Sequence, residues 1–215
     1  MNTQELIARV AEAVKDGSFT DAEILTRLND WYAQVCHDFC FPELEATATV
    51  SFAAGGDTFA ALPADYHHDL WHIDPVTTTT RISVMTSLQS LQRLYGPDES
   101  GGPIMHAAVD GSTLHVRPAP TTAQDVTIYY YSIPDALTDE STSSPVGIPS
   151  HLHAKVLTSR VVADLFDIIE DGVDGSKANT ARWEGLTAQA ISELEQYARR
   201  APRLRPFVKR HPRYF

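Results

Sequence analysis

Residues 19–41, FTDAEILTRLNDWYAQVCHDFCF, form the most legible helix in the chain, and its start is marked twice. Thr20 stands as an N-cap whose hydroxyl accepts from the amide of Glu23. The Glu23 carboxylate, three residues on, reaches back to the amide of Thr20, which makes a capping box. Phe19 and Ile24 take the two positions of a hydrophobic staple. Ile24, Leu28, Trp31, Val35 and Phe39 then recur at steps of four, three, four and four, one apolar stripe of helical period. Asp21 and Glu23 suit the positive end of the helix dipole, and Pro42 is expected to stop the helix. The spacing predicts the central core helix, against which the other helices pack.

Before it, residues 2–16 open with Asn2 and Glu5 at capping-box spacing, and Leu6, Val10 and Val14 give an amphipathic helix. The turn Asp16-Gly17-Ser18 then makes an antiparallel helical hairpin of the two. After Pro42 the pattern changes to β. Residues 46–52, 58–62, 66–73, 81–85, 104–109, 112–117 and 126–133 read as strands, with Asp110-Gly111 as a two-residue hairpin turn. Residues 86–95 read as a short helix opened by Thr86 and Gln89. A third helix is expected from Ile148-Pro149-Ser150 to Asp171, striped by Leu152, Val156, Ala163, Phe166 and Ile169 and widened by Val162 and Leu165. A fourth carries Trp183, Leu186, Ala190, Leu194 and Tyr197. Pro202 and Pro206 end regular helix. The expected fold is α+β: a four-helix bundle formed by N- and C-terminal helix pairs, with an inserted antiparallel β domain and an extended C-terminal tail. Its expected divisions are 1–43 (first helix pair), 44–146 (β-rich domain), 147–200 (second helix pair) and 201–215 (basic and aromatic arm).

Charge is informative in its distribution. The 215 residues carry 17 basic and 28 acidic groups, a net charge of −11. Residues 199–215 hold seven basic groups and no acidic one, which leaves ten basic against 28 acidic groups and about −18 on the body. Such a body repels nucleic acid, while the basic segment seeks an anionic or carbonyl-rich surface. No apolar run nears the eighteen or so residues of a transmembrane helix, and no signal-peptide pattern is read at the start. The two cysteines, Cys36 and Cys40, lie one helical turn apart, so a reducing cytoplasm is the expected compartment.

The search for chemistry returns little. His67, His68 and His72, interleaved with Asp65, Asp69 and Asp74, have metal-ligating groups, but strand neighbours point to opposite faces. Surface histidines flanking a half-buried strand are the plainer reading. Cys36, His37 and Cys40 lack a second ligand pair at zinc spacing, and read as small packing residues. His151 and His153, at i and i+2, do not converge on a helix. The run Tyr129–Tyr131 has the rings of a base-stacking platform, but residues 120–145 contain no basic group, so sheet packing is favoured. No nucleophile elbow, phosphate loop, dinucleotide fingerprint or HExxH pattern is present. The expectation is a non-enzyme with no catalytic residue, metal or cofactor. The arm is different: Arg203, Leu204, Arg205, Phe207, Lys209, Arg210, Arg213, Tyr214 and Phe215 have the composition of an interface anchor, and are expected to dock on an acidic partner.

The chain resembles the head–tail adaptor (connector) proteins of tailed bacteriophages. The resemblance rests on the short N-terminal helix, FTDAEILTRLNDWYAQV, TVSFAAGGDTFAALPADYHHDLWHI, DGSTLHVRPAPTTAQDVTIYYYSIPDALT and IPSHLHAKVL, spanning residue 3 to about residue 170. It implies a virion structural protein, made in the host cytoplasm and built into the neck as a ring of twelve copies. That ring would sit between the portal protein and a tail, nozzle or tail-completion protein, with the arm reaching to the portal. Double-stranded DNA would pass a negatively charged lumen without specific binding, and no membrane is involved. The other readings are a tail-completion or tail-terminator protein and a non-viral protein-interaction scaffold.

Overall fold

The computed structural model describes residues 1–55, 58–96, 100–171 and 177–200. The described chain divides into two compact units, one formed by Met1–Leu44 with residues 134–200 and the other by Glu45–Ile133.

The first unit opens with α1 (Thr3–Val14) and α2 (Asp21–Asp38), and both capping boxes are formed. Asn2 Oδ1 accepts from the Glu5 amide at 2.8 Å, and Thr20 Oγ1 accepts from the Glu23 amide at 3.3 Å while Glu23 accepts from the Thr20 amide at 2.8 Å. The buried face of α2 is Ile24, Leu28, Tyr32, Val35 and Cys36. Tyr32 therefore takes the core place expected of Trp31. Its hydroxyl donates to Val146 O (3.0 Å) and accepts from Val146 N (2.9 Å). Asn29 does the same for Leu137, donating to its carbonyl at 3.0 Å and accepting from its amide at 2.7 Å. The irregular segment after residue 134 thus has backbone groups satisfied by helix side chains. Phe39, expected to be helical, is the extended C-cap.

A π-turn (Ala154–Thr158) leads into α4 (Ser159–Glu170), and α5 (Ala178–Arg200) follows. The centre of this unit is α4, which packs on α1, α2 and α5; α2 was expected to hold that place. The reason is hydrophobic coverage. Val156, Leu157, Val161, Val162, Ala163 and Leu165 are all buried, an apolar surface too wide for a one-sided helix.

In the second unit, β1 (Glu45–Phe52), β9 (Gln124–Ser132) and β3 (Tyr66–Pro75) form a three-stranded antiparallel sheet in the order β1-β9-β3. Val50 pairs with Val126 and Ile73 with Ile128, so the inward sets share one face. A second sheet has the order β2-β7-β6-β4, from β2 (Phe59–Ala61), β4 (Ser83–Val84), β6 (His106–Asp110) and β7 (Thr113–Arg117). A third pairs β5 (Ser100–Gly102) with β8 (Ala119–Pro120). Val50, Phe52, Ile73, Ile104, Leu114, Val116, Val126, Ile128 and Tyr130 share one core. The short α3 (Leu88–Leu94) is capped by Ser87, not Thr86. The β6–β7 turn is Gly111-Ser112, with Gly111 at φ +57°, one residue on from the expected pair.

The α+β class holds, but the expected four-helix bundle with an inserted antiparallel β domain does not. Among the described residues there are five α-helices and three sheets. Two strand pairs, β4–β6 and β5–β8, are parallel. Parallel neighbours are distant in sequence and carry no turn signature, so alternation alone reads them as antiparallel.

Candidate functional site

The arm residues Arg203, Leu204, Arg205, Phe207, Lys209, Arg210, Arg213, Tyr214 and Phe215 lie outside the described residues. What the described chain offers for docking is a groove of about 710 Å³ on the first unit, between the C-terminal end of α1 and the middle of α5, with the π-turn as its floor. Small residues on all three elements, Ala13, Ala154 and Ala190, keep it open, and Trp183 and Leu186 line it from α5. Leu186 is 40% exposed, an uncommon price for a helix that has a core to face.

Hydroxyls pin the floor. Ser159 Oγ donates back to Lys155 O, and Thr187 Oγ1 lies 3.0 Å from Ser159 Oγ and 2.9 Å from Trp183 O. The buried Thr158 Oγ1 makes no hydrogen bond among the described residues. At the rim, Lys155 Nζ meets Glu193 Oε2 at 2.8 Å, and this bond holds the Glu193 carboxyl below its usual range. Arg9 and Lys15 form no ion pair among the described residues, and with Lys155 they outnumber the two carboxylates of the rim, Glu12 and Glu193, so the rim has a small excess of positive charge. Lys15 is also the α1 C-cap at φ +54°, where any residue but glycine costs roughly 1–2 kcal/mol.

The far end of α4 has the opposite character. Ile168, 48% exposed, has Asp164 and Asp171 one turn away on its own side of α4 and Asp167 beside it in the chain. Glu170 caps α5, accepting from the amides of Asn179 and Thr180 at 3.2 Å each and from the Thr180 hydroxyl at 2.8 Å. Burial pulls the Glu170 carboxyl up, but the bonds from Thr180 and Asn179 outweigh it and leave it lowered. Lys177 joins Asp167 (2.7 Å) and Asp171 (3.4 Å). Asp164 is raised by burial, against the pull of Arg160, which holds it at 3.0 Å and lies 5.7 Å over the Trp31 ring. Acidic groups outnumber basic ones here.

Of the other sequence candidates, Cys36, His37 and Cys40 belong to the first unit, and the histidine and tyrosine runs belong to the second. A bulge in β3, with Asp69 at φ +53°, brings the His67 and His68 rings to 4.7 Å where a regular strand would part them. His68 stacks on Tyr131 at 5.2 Å, and His72 Nε2 meets Asp74 Oδ1 at 2.7 Å. In the tyrosine run, Tyr130 lies in the core and donates to Asp65 Oδ1 at 2.8 Å; burial first, and that bond second, push its hydroxyl up to about 12. Burial pushes the Cys36 thiol up to about 12, which keeps it a packing residue. His151 is exposed, while buried His153 has Nε2 at 2.7 Å from Ile148 O and Nδ1 at 3.3 Å from Met1 O. The groove escaped sequence reading because its walls are far apart in the chain. Its one local signal was the overwide stripe at residues 152–165, which a π-turn produces by shifting the helical phase.

No helix among the described residues is long and apolar enough to cross a membrane. No curated protein matches the chain. The SU10 adaptor protein family matches residues 1–209, nearly the whole sequence. With that coverage, and with the resemblance carried by its helix and strand motifs, the chain belongs to the SU10 adaptor protein family, a family of phage head–tail adaptors.

Proposed function

We propose that the protein is a structural part of the virion neck, a ring of twelve copies joining the portal of the DNA-filled head to the tail, nozzle or tail-completion protein below it. The observation that carries this reading is the family match over residues 1–209. Adaptors work by geometry, and no catalytic step enters the reading.

Charge supports the division of labour within it. A body of about −18 outside residues 199–215 suits the wall of a channel that a polyanion must cross without sticking. The basic arm, kept off that wall, is the segment that reaches the portal. Its arginines form bidentate bonds to carboxylates or carbonyls, and Leu204, Phe207, Tyr214 and Phe215 anchor it. Electron microscopy of the protein mixed with its portal ring, full chain against a chain ending at Arg200, tests both parts. A stacked ring that disappears on truncation is the expected result. A ring that survives truncation removes the arm from the reading, and failure of the full chain to join the portal overturns the adaptor role.

A further inference from the structure

The groove and the acidic end of α4 belong to the same unit and complement one another. One is an apolar socket lined by Trp183, Leu186 and Ala190, with Arg9 and Lys15 unpaired among the described residues at its rim. The other is an apolar knob, Ile168, flanked by Asp164, Asp167 and Asp171, three carboxylates that outnumber their two partners, Arg160 and Lys177. They lie on opposite sides of one helix. Ser159 takes part in the floor of the groove, and Ile168 comes nine residues later, two and a half turns at 3.6 residues per turn. Socket and knob therefore cannot meet within one copy.

We infer that the α4 end of one copy seats in the α1–π-turn–α5 groove of the next, Ile168 against Trp183 and Leu186. This rests on the ring reading above and names the contact that would build the ring. A patch that fits a pocket elsewhere on the same molecule makes a heterologous contact, which propagates and closes into a ring when the rotation allows it. Both sides pair like with unlike: the exposed apolar side chains leave water together, and the acidic flank of Ile168 faces the positive rim. The cost of holding Lys15 in a left-handed conformation is then offset by placing its charge where the neighbour is acidic.

The test uses the full chain with Cys40→Ser, since Cys36 is buried and unreactive. Chains carrying Ile168→Cys are mixed with chains carrying Leu186→Cys and oxidised, beside each variant alone. The expected result is a mixed disulfide dimer well above the single-variant background, and a ladder of multimers from the doubly substituted chain. An intrachain bond does not explain the ladder. Thr187 sits beside Ser159, so Leu186 and Ile168 are separated by about 13 Å along α4, beyond the ~7 Å limit between bridged Cα atoms. Sedimentation of the same proteins adds an independent reading: Ile168→Asp shifts association to at least tenfold higher concentration, while Ile168→Leu keeps it. Both variants sit at an exposed position, and circular dichroism checks that they fold. Oligomers that form without the mixed crosslink, or that ignore Ile168→Asp, overturn the contact but keep the ring. A chain that stays monomeric and uncrosslinked at every concentration reached overturns the contact; the portal experiment then decides the adaptor role separately.

Discussion

Trp31 lies off the buried face of α2, yet its indole N–H donates to Val156 O at 2.8 Å, inside the π-turn. A carbonyl in a π-turn is poorly served by its own helix, and the indole supplies a partner from the neighbouring one. Trp31→Phe keeps most of the ring and removes the donor. It is expected to lower unfolding free energy by about 1–3 kcal/mol, the cost of stranding a largely buried acceptor, seen as a lower urea midpoint at unchanged slope. His153 makes a pH prediction. Burial is the main cause that holds its pKa below the usual 6.5, against two carbonyls that favour the charged ring. A neutral imidazole has one N–H, and the shorter contact gives it to Nε2, facing Ile148 O. Since the folded state binds its proton later than the unfolded one, the stability this residue contributes is full above pH 6.5. It falls as pH drops below that value. Urea midpoints between pH 7.5 and 5 should fall in the parent and fall less in His153→Gln; parallel curves refute the assignment.

At the scale of elements, the helix starts were legible because capping is local. Asn2 with Glu5 and Thr20 with Glu23 announce themselves within four residues, and both boxes form. The cap of α5 was not legible. Glu170, the last residue of α4, bonds the amides of Asn179 and Thr180 across the connection between the helices, a pairing no short window contains. Glu170→Ala should therefore fray the neighbouring helix. Hydrogen exchange is expected to quicken at the amides of residues 179–182 while α2 keeps its protection; unchanged exchange there would remove the cap from the account. The same distinction covers the rest. The stripe in α2 was legible at Ile24, Leu28 and Val35, but Tyr32 and Cys36 are buried where Trp31 and Phe39 were expected, and the choice between Tyr32 and Trp31 depends on which neighbour offers a carbonyl. The strands of the first sheet were legible from alternation, whereas Ser83–Val84 and Ser100–Gly102 are too short to carry a period and pair in parallel with distant partners. The groove followed the same rule, since Ala13, Ala154 and Ala190 say nothing about one another until the helices meet.

On the scale of the whole molecule, sequence alone settles the charge balance, and its consequence for DNA is quantitative. On the proposed reading the body must pass a polyanion and the arm must not hold it. Five basic residues lie in residues 201–215, and each phosphate they neutralise contributes about 0.9 to the salt dependence of DNA binding. Any affinity of the free protein for double-stranded DNA should therefore come from the arm. The logarithm of the binding constant should fall against log salt with a slope no steeper than about −4.5. A chain ending at Arg200 keeps the acidic body and is expected to show no retention on DNA even at low salt. Filter binding or anisotropy with the two chains between 20 and 200 mM salt reads both quantities. Retention by the truncated chain, or a slope steeper than the arm can supply, would mean that a basic surface on the folded body faces the DNA, and the inert negative wall would have to be given up.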